Sequence, residues 1–253
     1  MARPGLFRFS VRRFLAALVL LLFATPFLEE MKHGHLIEVS LVTLVLCMGV
    51  LAVGGRQRTL ILAIVLAVPA VAGNWAHHFF PATWLVCVAY AARLSFLAFI
   101  VANLLAFILR APRVNTEVLC AGISIYLLLG VIWAIAYMLL GSLNPNSFAF
   151  SVPPAANSGI AGFNALYFSY ITLTTVGYGD ITPVSKIARM LAITESMCGT
   201  LFVGVLIARL VSLYSTAGSV ETSVNHVPSL PTAPGAGHSQ PTQEESTHKG
   251  PPP

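Results

Sequence analysis

Residues 174–180 read Thr-Thr-Val-Gly-Tyr-Gly-Asp, ending on the only aspartate of the chain, Asp180. Long apolar runs lie on both sides, so the groups able to do chemistry here are few. Backbone carbonyls released from a helix are the first. Gly177 and Gly179 lack a Cβ and reach φ > 0 without a clash. Alternating such residues with ordinary ones lets successive carbonyls point to one side. Four copies about one axis would stack rings of oxygen from Thr175, Val176, Gly177 and Tyr178, with the Thr175 hydroxyl closing the bottom. Rings of this kind replace the hydration shell of a dehydrated cation.

Ionisable side chains inside apolar segments are the second group, because their cost there makes them functional candidates. They are Glu38, Arg93 and Glu195. For Glu195 an equal alternative is a protonated or hydrogen-bonded carboxyl packed near Thr172 or Thr174. His33 and His35, and His77 and His78, fall near loops and read as interfacial or proton-sensitive rather than as metal ligands. Cys47, Cys87, Cys120 and Cys198 lie in apolar runs without a CxxC spacing, which suits packing rather than disulfides or metal.

The elements that must position these residues follow from the composition. The chain has 253 residues, 57% of them hydrophobic and 9% charged, so lipid is the solvent for most of it. Six apolar segments stand out, at roughly 14–28, 36–53, 59–75, 82–109, 118–140 and 183–214. A crossing helix takes about 20 residues. The first segment, behind Arg12-Arg13, has the look of either a secretory signal or an uncleaved helix. With no A-x-A site after it, the helix is preferred. Between the fifth and sixth segments, Phe163–Leu173 would form a helix of about 16 Å, half a membrane deep. The chain must then return outward through Thr174–Asp180, with Thr182-Pro183 as the cap and first turn of the last helix. Irregular backbone at that depth persists only inside protein or along a watery path, and the residue types favour the path. The carbonyl end of the half-helix favours a cation, and Tyr167, Phe168 and Tyr170 are expected to pack behind the loop.

Arg3, Arg8, Arg12, Arg13, Arg56, Arg58, Arg110 and Arg113 border alternate loops, whereas the opposite loops hold only Lys32. The positive-inside bias puts both termini in the cytoplasm. With a net charge of +5 spread thinly beside apolar runs, the basic residues report topology and not nucleic-acid binding. Residues 215–253 are rich in Pro, Ser, Thr and Gly and are expected to be a disordered tail. In the last helix Gly199 and Gly204 interrupt the middle and read equally as gate positions or as points of close helix packing, while Thr200, Val203, Ile207 and Val211 share a face. Ile207 and Val211 are gate candidates by dewetting.

The run Thr172-Leu173-Thr174-Thr175-Val176-Gly177-Tyr178-Gly179-Asp180, followed by Ile181-Thr182-Pro183, resembles the signature of potassium channels. The likeness extends over about residues 116–214, and the four preceding helices resemble the six-helix members. It implies an all-α integral membrane protein with six transmembrane helices, a re-entrant half-helix and a selectivity-filter loop, closing a tetrameric pore. Residues 1–13 would be a cytoplasmic N-terminus, 14–110 a four-helix peripheral domain and 111–214 the pore domain. The partners implied are three further copies of the chain, the lipid bilayer and K⁺, with no cofactor beyond the permeant ion. Thr175 to Gly179 would hold the ion, Thr174, Asp180, Tyr167 and Phe168 would support the filter, and Gly199 would stand at the hinge of the inner helix. Many relatives carry two tryptophans where this chain has Tyr167 and Phe168. Tyr167 can still donate to Asp180, whereas Phe168 has no donor for Tyr178. Replacing Tyr178 with Asp or Leu is expected to relax selectivity towards sodium.

Voltage sensing needs about 3–4 gating charges per subunit. The fourth segment has Arg93 inside and Arg110 at its end, with Glu38 as a candidate partner for Arg93. A channel weakly or not gated by voltage is therefore expected, the alternatives being a voltage-dependent K⁺ channel or a less selective cation channel. An enzyme with the Gly-Tyr-Gly-Asp turn as a phosphate loop would need a soluble domain, and none is legible.

Overall fold

The computed structural model describes residues 4–29, 31, 34–53, 57–79, 83–113, 115–151 and 159–224. Its helices are α1 (Pro4–Glu29), α2 (Gly34–Val53), α3 (Gln57–Phe79), α4 (Thr83–Arg110), α5 (Thr116–Leu143), α6 (Gly162–Leu173) and α7 (Lys186–Val224). Stretches long and apolar enough to cross a membrane lie in α1, α4, α5 and α7, at Val11–Leu28, Cys87–Arg110, Thr116–Leu143 and Lys186–Ser212. Among the described residues α2 and α3 contribute shorter apolar stretches, Ser40–Val50 and Thr59–Ala72. This is a membrane protein, mostly helical.

Local chemistry sets the boundaries nearest the site. Asn115 is extended and its Oδ1 accepts from Val118 N at 3.0 Å, while Glu117 in the first turn complements the positive helix end. The helix stops at Asn144, whose N–H donates to Leu140 O at 2.8 Å. Pro145 then opens a 3₁₀ turn, Pro145–Ser147.

The fold is not purely helical. Strand β1 (Phe148–Phe150) pairs antiparallel with β2 (Ile181–Pro183), matching Phe148 with Pro183 and Phe150 with Ile181. This ribbon corrects the expected start of the last helix. Thr182-Pro183 lies in β2, and α7 begins at Lys186, where Ser185 Oγ accepts from Ala188 N at 3.1 Å. The reason is the turn before it, since Val184 N and Ser185 N both donate to Ser147 O and hold that backbone out of the helix. At its other end α7 runs on to Val224, past the expected boundary at Tyr214. The rest of the expected tail, 225–253, lies outside the described residues. Helix α1 likewise starts at Pro4, ahead of the apolar segment that announced it.

Two buried clusters hold the bundle. One joins α1, α2, α4 and α5 through Phe14, Leu18, Val45, Leu46, Phe96, Ile100 and Leu128. The other sits behind α6, where Tyr137, Phe148 and Phe168 meet edge to face with ring centres 4.9–5.7 Å apart. Such geometry places ring edges against ring faces, the favoured electrostatic arrangement.

A candidate ion path at the end of a half-helix

Helix α6 has 12 residues, about 18 Å, and ends where Thr174 N turns back to Tyr170 O at 3.0 Å. Beyond it the backbone alternates. Thr175 has φ +61, Gly177 φ +53 and Gly179 φ +81, with ordinary conformations between them. The two glycines take this region freely; Thr175 is β-branched and is strained there. What holds Thr175 is the helix end behind it. Its N–H donates to Thr172 O at 3.0 Å, while Val176 N and Gly177 N both donate to Ile171 O, at 2.8 and 3.1 Å. The amides of the loop are thereby committed to the half-helix. Among the described residues, the carbonyls of Thr175 to Tyr178 accept no hydrogen bond. A row of free acceptors at the negative end of a helix suits a cation.

Further hydrogen bonds hold the far end of the loop. Tyr167 Oη donates to Asp180 Oδ2 at 2.7 Å, and Asp180 Oδ1 accepts from Ile181 N at 3.0 Å. Asp180 O and Gly179 O accept from Ser151 N and Ser151 Oγ, at 2.8 and 3.5 Å, so β1 steadies the exit of the loop. Thr174 Oγ1 donates to Tyr170 O at 2.7 Å. The expected shared aromatic face is absent, because the three rings of α6 diverge. Tyr167 goes to Asp180, Phe168 is buried against Tyr137 and Phe148, and Tyr170 donates to Leu127 O on α5 at 2.7 Å. Consecutive helical residues are about 100° apart, so 167 and 168 cannot present one surface. Tyr170 fits because Gly130 faces it; a Cβ there would sit 2.5 Å from the ring.

Glu195 is fully buried. Its partners differ from the expected Thr172 or Thr174, since Tyr137 Oη donates to Oε2 and Ser169 Oγ approaches Oε1. Ser169 Oγ also lies 2.7 Å from Gly130 O. The carboxyl of α7 therefore joins α5 and α6 behind the loop. Tyr137 and Ser169 escaped the sequence reading. The available signal was their polarity inside apolar helices, which in membranes faces the bundle interior.

Of the gate candidates, Gly199 is a crossing point. A Cβ there would lie 2.4 Å from Leu173 O, so only glycine lets α7 pass the end of α6. Gly204 faces open space, and Ile207 and Val211 are 56% and 62% exposed in the single chain. In the loop after α6, Val176 and Tyr178 are 52% and 73% exposed. Arg93 sits 5.5 Å over the Tyr90 ring, inside a cavity it shares with Leu18, Val45 and Leu128. Glu38 falls in α2, but its side chain, and hence its suggested pairing with Arg93, lies outside the described residues. Of the four histidines, His33 lies outside the described residues, while His35 falls in α2 and His77 and His78 fall in the last turns of α3 rather than in a loop, with their side chains outside the described ones. Cys47, Cys87, Cys120 and Cys198 are free thiols.

With this geometry in place, the likeness to known proteins is specific. A family model described as ion channel matches residues 116–216, from α5 through α7. Protein LctB of Bacillus caldotenax is 31% identical over 39% of this chain and 74% of its own length. Two pore potassium channel b of Oryza sativa subsp. japonica is 37% identical over 30% of this chain and 21% of that protein. Probable potassium channel protein 2 of Methanocaldococcus jannaschii is 49% identical over 16% of the chain and 12% of its own length. The matched region is thus about a fifth of the rice relative's length. No solved structure matches the chain. A free-carbonyl loop at the end of a half-helix, within a stretch shared with these proteins, is not the equipment of an enzyme, and the chain belongs to the potassium-channel family of membrane ion channels.

Proposed function

We propose that four copies of this chain form a potassium-selective pore in the cell membrane, conducting K⁺ passively with weak or no dependence on voltage. The observation that carries this reading is the alternation at Thr175, Gly177 and Gly179 together with the tethering of amides 175–177 to Thr172 O and Ile171 O. Carbonyls of Thr175, Val176, Gly177 and Tyr178 then stand in for water around a cation. One chain supplies one side of such a ring, so the site is complete only in an assembly of four. The exposed apolar residues of α7, among them Met190, Met197, Leu201 and Ile207, supply surface for that assembly and for the cavity below the filter. Six helices would cross the bilayer, with both termini cytoplasmic, residues 111–214 as the pore and no cofactor beyond the permeant ion.

Arg93 is the charge inside α4, and a single charge moved across the whole field yields at most about 2.3 kcal/mol per 100 mV. Steep voltage gating does not follow from that. The test is purified protein in planar bilayers under bi-ionic K⁺/Na⁺ conditions, with the assembly mass measured in parallel. A reversal potential near that of K⁺ and a mass of four chains are expected. Equal passage of Na⁺, or a conducting monomer, would refute the reading.

A further inference from the structure

Helix α4 ends on Arg110, the chain turns through Ala111-Pro112-Arg113, and Asn115 caps α5. In the crook of this turn lies a cavity of about 590 Å³, within the roughly 300–1,000 Å³ span of small-ligand sites. Its walls are of two kinds. Phe107 and Val118 are apolar, while Asn103, Arg110, Arg113 and Asn115 are polar or charged. Arg110 and Arg113 are exposed, and among the described residues neither forms an ion pair. The carboxylate that could neutralise them, Glu117 in the first turn of α5, is instead held by Arg12 of α1 at 3.1 Å. Two arginines without an ion-pair partner among the described residues therefore line a pocket that also has apolar walls. Guanidinium forks match phosphate oxygens, and the charge bias puts this end of the bundle at the cytoplasmic leaflet. The same turn is bound to the inner helix. Arg209 of α7 donates to Leu109 O at 2.8 Å and to Ala111 O at 3.2 Å.

We propose that this pocket binds the phosphate of an anionic phospholipid, with Arg110 and Arg113 holding the headgroup and Phe107 and Val118 meeting the start of an acyl chain. Occupancy is passed to α7 through Arg209, which reads the position of the turn. The pocket assignment stands on its own; the transmission step rests on the channel reading above.

The experiment has a binding arm and a flux arm, both on the full chain. In neutral detergent micelles, fluorescent phosphatidylglycerol is titrated against the wild type and the Arg110→Gln/Arg113→Gln variant. Loss of two basic contacts is expected to weaken capture by about tenfold or more, and Arg110→Lys/Arg113→Lys is expected to restore most of it, which separates the effect from misfolding. Unchanged capture in the glutamine variant would overturn the proposal. So would displacement of the lipid by millimolar inorganic phosphate, which would assign the pocket to the free anion. In vesicles, K⁺ flux is expected to vary with the fraction of phosphatidylglycerol in the wild type, and Arg209→Gln is expected to keep lipid capture and lose that variation. An unaltered lipid response in Arg209→Gln would overturn the transmission step. Vesicles that pass no K⁺ at any composition, with capture still lost in the glutamine variant, would count against the channel reading while supporting the pocket.

Discussion

Helices α1–α4 and the elements α5–α7 are built from similar apolar residues, yet their described polar side chains differ in how far many of them reach. In the periphery Thr25, Ser95 and Asn103 bond back to the carbonyl four residues earlier, at Leu21, Ala91 and Phe99. These bonds hide a polar group within its own helix and fix nothing beyond it. In α5–α7 Ser124, Ser142, Thr194 and Thr200 bond back in the same way, but further bonds cross between elements, from Tyr170 to Leu127 O, from Tyr137 to Glu195, from Ser169 to Gly130 O and from Tyr167 to Asp180. Lipid tails are as apolar as leucine, so apolar content alone gives helices in a bilayer little reason to choose one neighbour over another. Crossing hydrogen bonds and close contacts at glycine supply that choice. The difference teaches that α5–α7 carry hydrogen-bonded ties between elements in addition to the bonds each helix makes within itself.

Substitutions at five positions break or sharpen that contrast, and the first should act most strongly. Gly177→Ala forces a Cβ onto φ +53, a strain of about 1–2 kcal/mol in each chain, multiplied if the proposed assembly of four is formed. Vesicle flux should fall at least about 100-fold with the protein still membrane-inserted; retained flux would mean that the alternation is unimportant. Phe168→Ala empties the centre of the three-ring cluster and should lower stability by roughly 3 kcal/mol in detergent unfolding. Glu195→Ala removes the carboxyl that meets both Tyr137 and Ser169 and should cost about 1–2 kcal/mol, with Glu195→Gln milder because it keeps an oxygen. If the glutamine proved the worse of the two, the bridging role would be wrong.

Smaller effects close the series. Tyr167→Phe loses one exposed bond to Asp180, about 1 kcal/mol; decay of current during sustained opening should change while thermal unfolding barely moves. In the periphery, Ser95→Ala removes only a bond within α4 and should stay within about 0.5 kcal/mol on any readout. A large effect there would dissolve the contrast between the two regions.

Much of the site was legible in advance because its logic is local. An apolar run too short to cross, followed by two glycines spaced one residue apart, already implies a half-helix and an alternating loop. Thr175 was harder. Its φ of +61 contradicts the habit of a β-branched residue and becomes tolerable only where Thr172 O and Ile171 O receive the neighbouring amides. The ribbon of Phe148–Phe150 with Ile181–Pro183 left no periodic trace, since three residues are too few for an alternation to show. Its effect was to move the start of α7 from Pro183 to Lys186.

By itself the sequence determined that the chain lives in lipid, where its long helices fall, and which seven residues leave the helix at depth. Each of these depends on hydropathy or on the conformational freedom of a residue and its neighbours, which are readable along the chain. Tertiary structure decided what the ionisable and aromatic groups do. Glu195 met Tyr137 and Ser169, Phe168 turned away from the filter, Gly199 became the crossing point with Leu173, and Arg209 reached the end of α4. Those outcomes depend on the rotation of one helix against another, and that angle is set by packing between residues far apart in sequence.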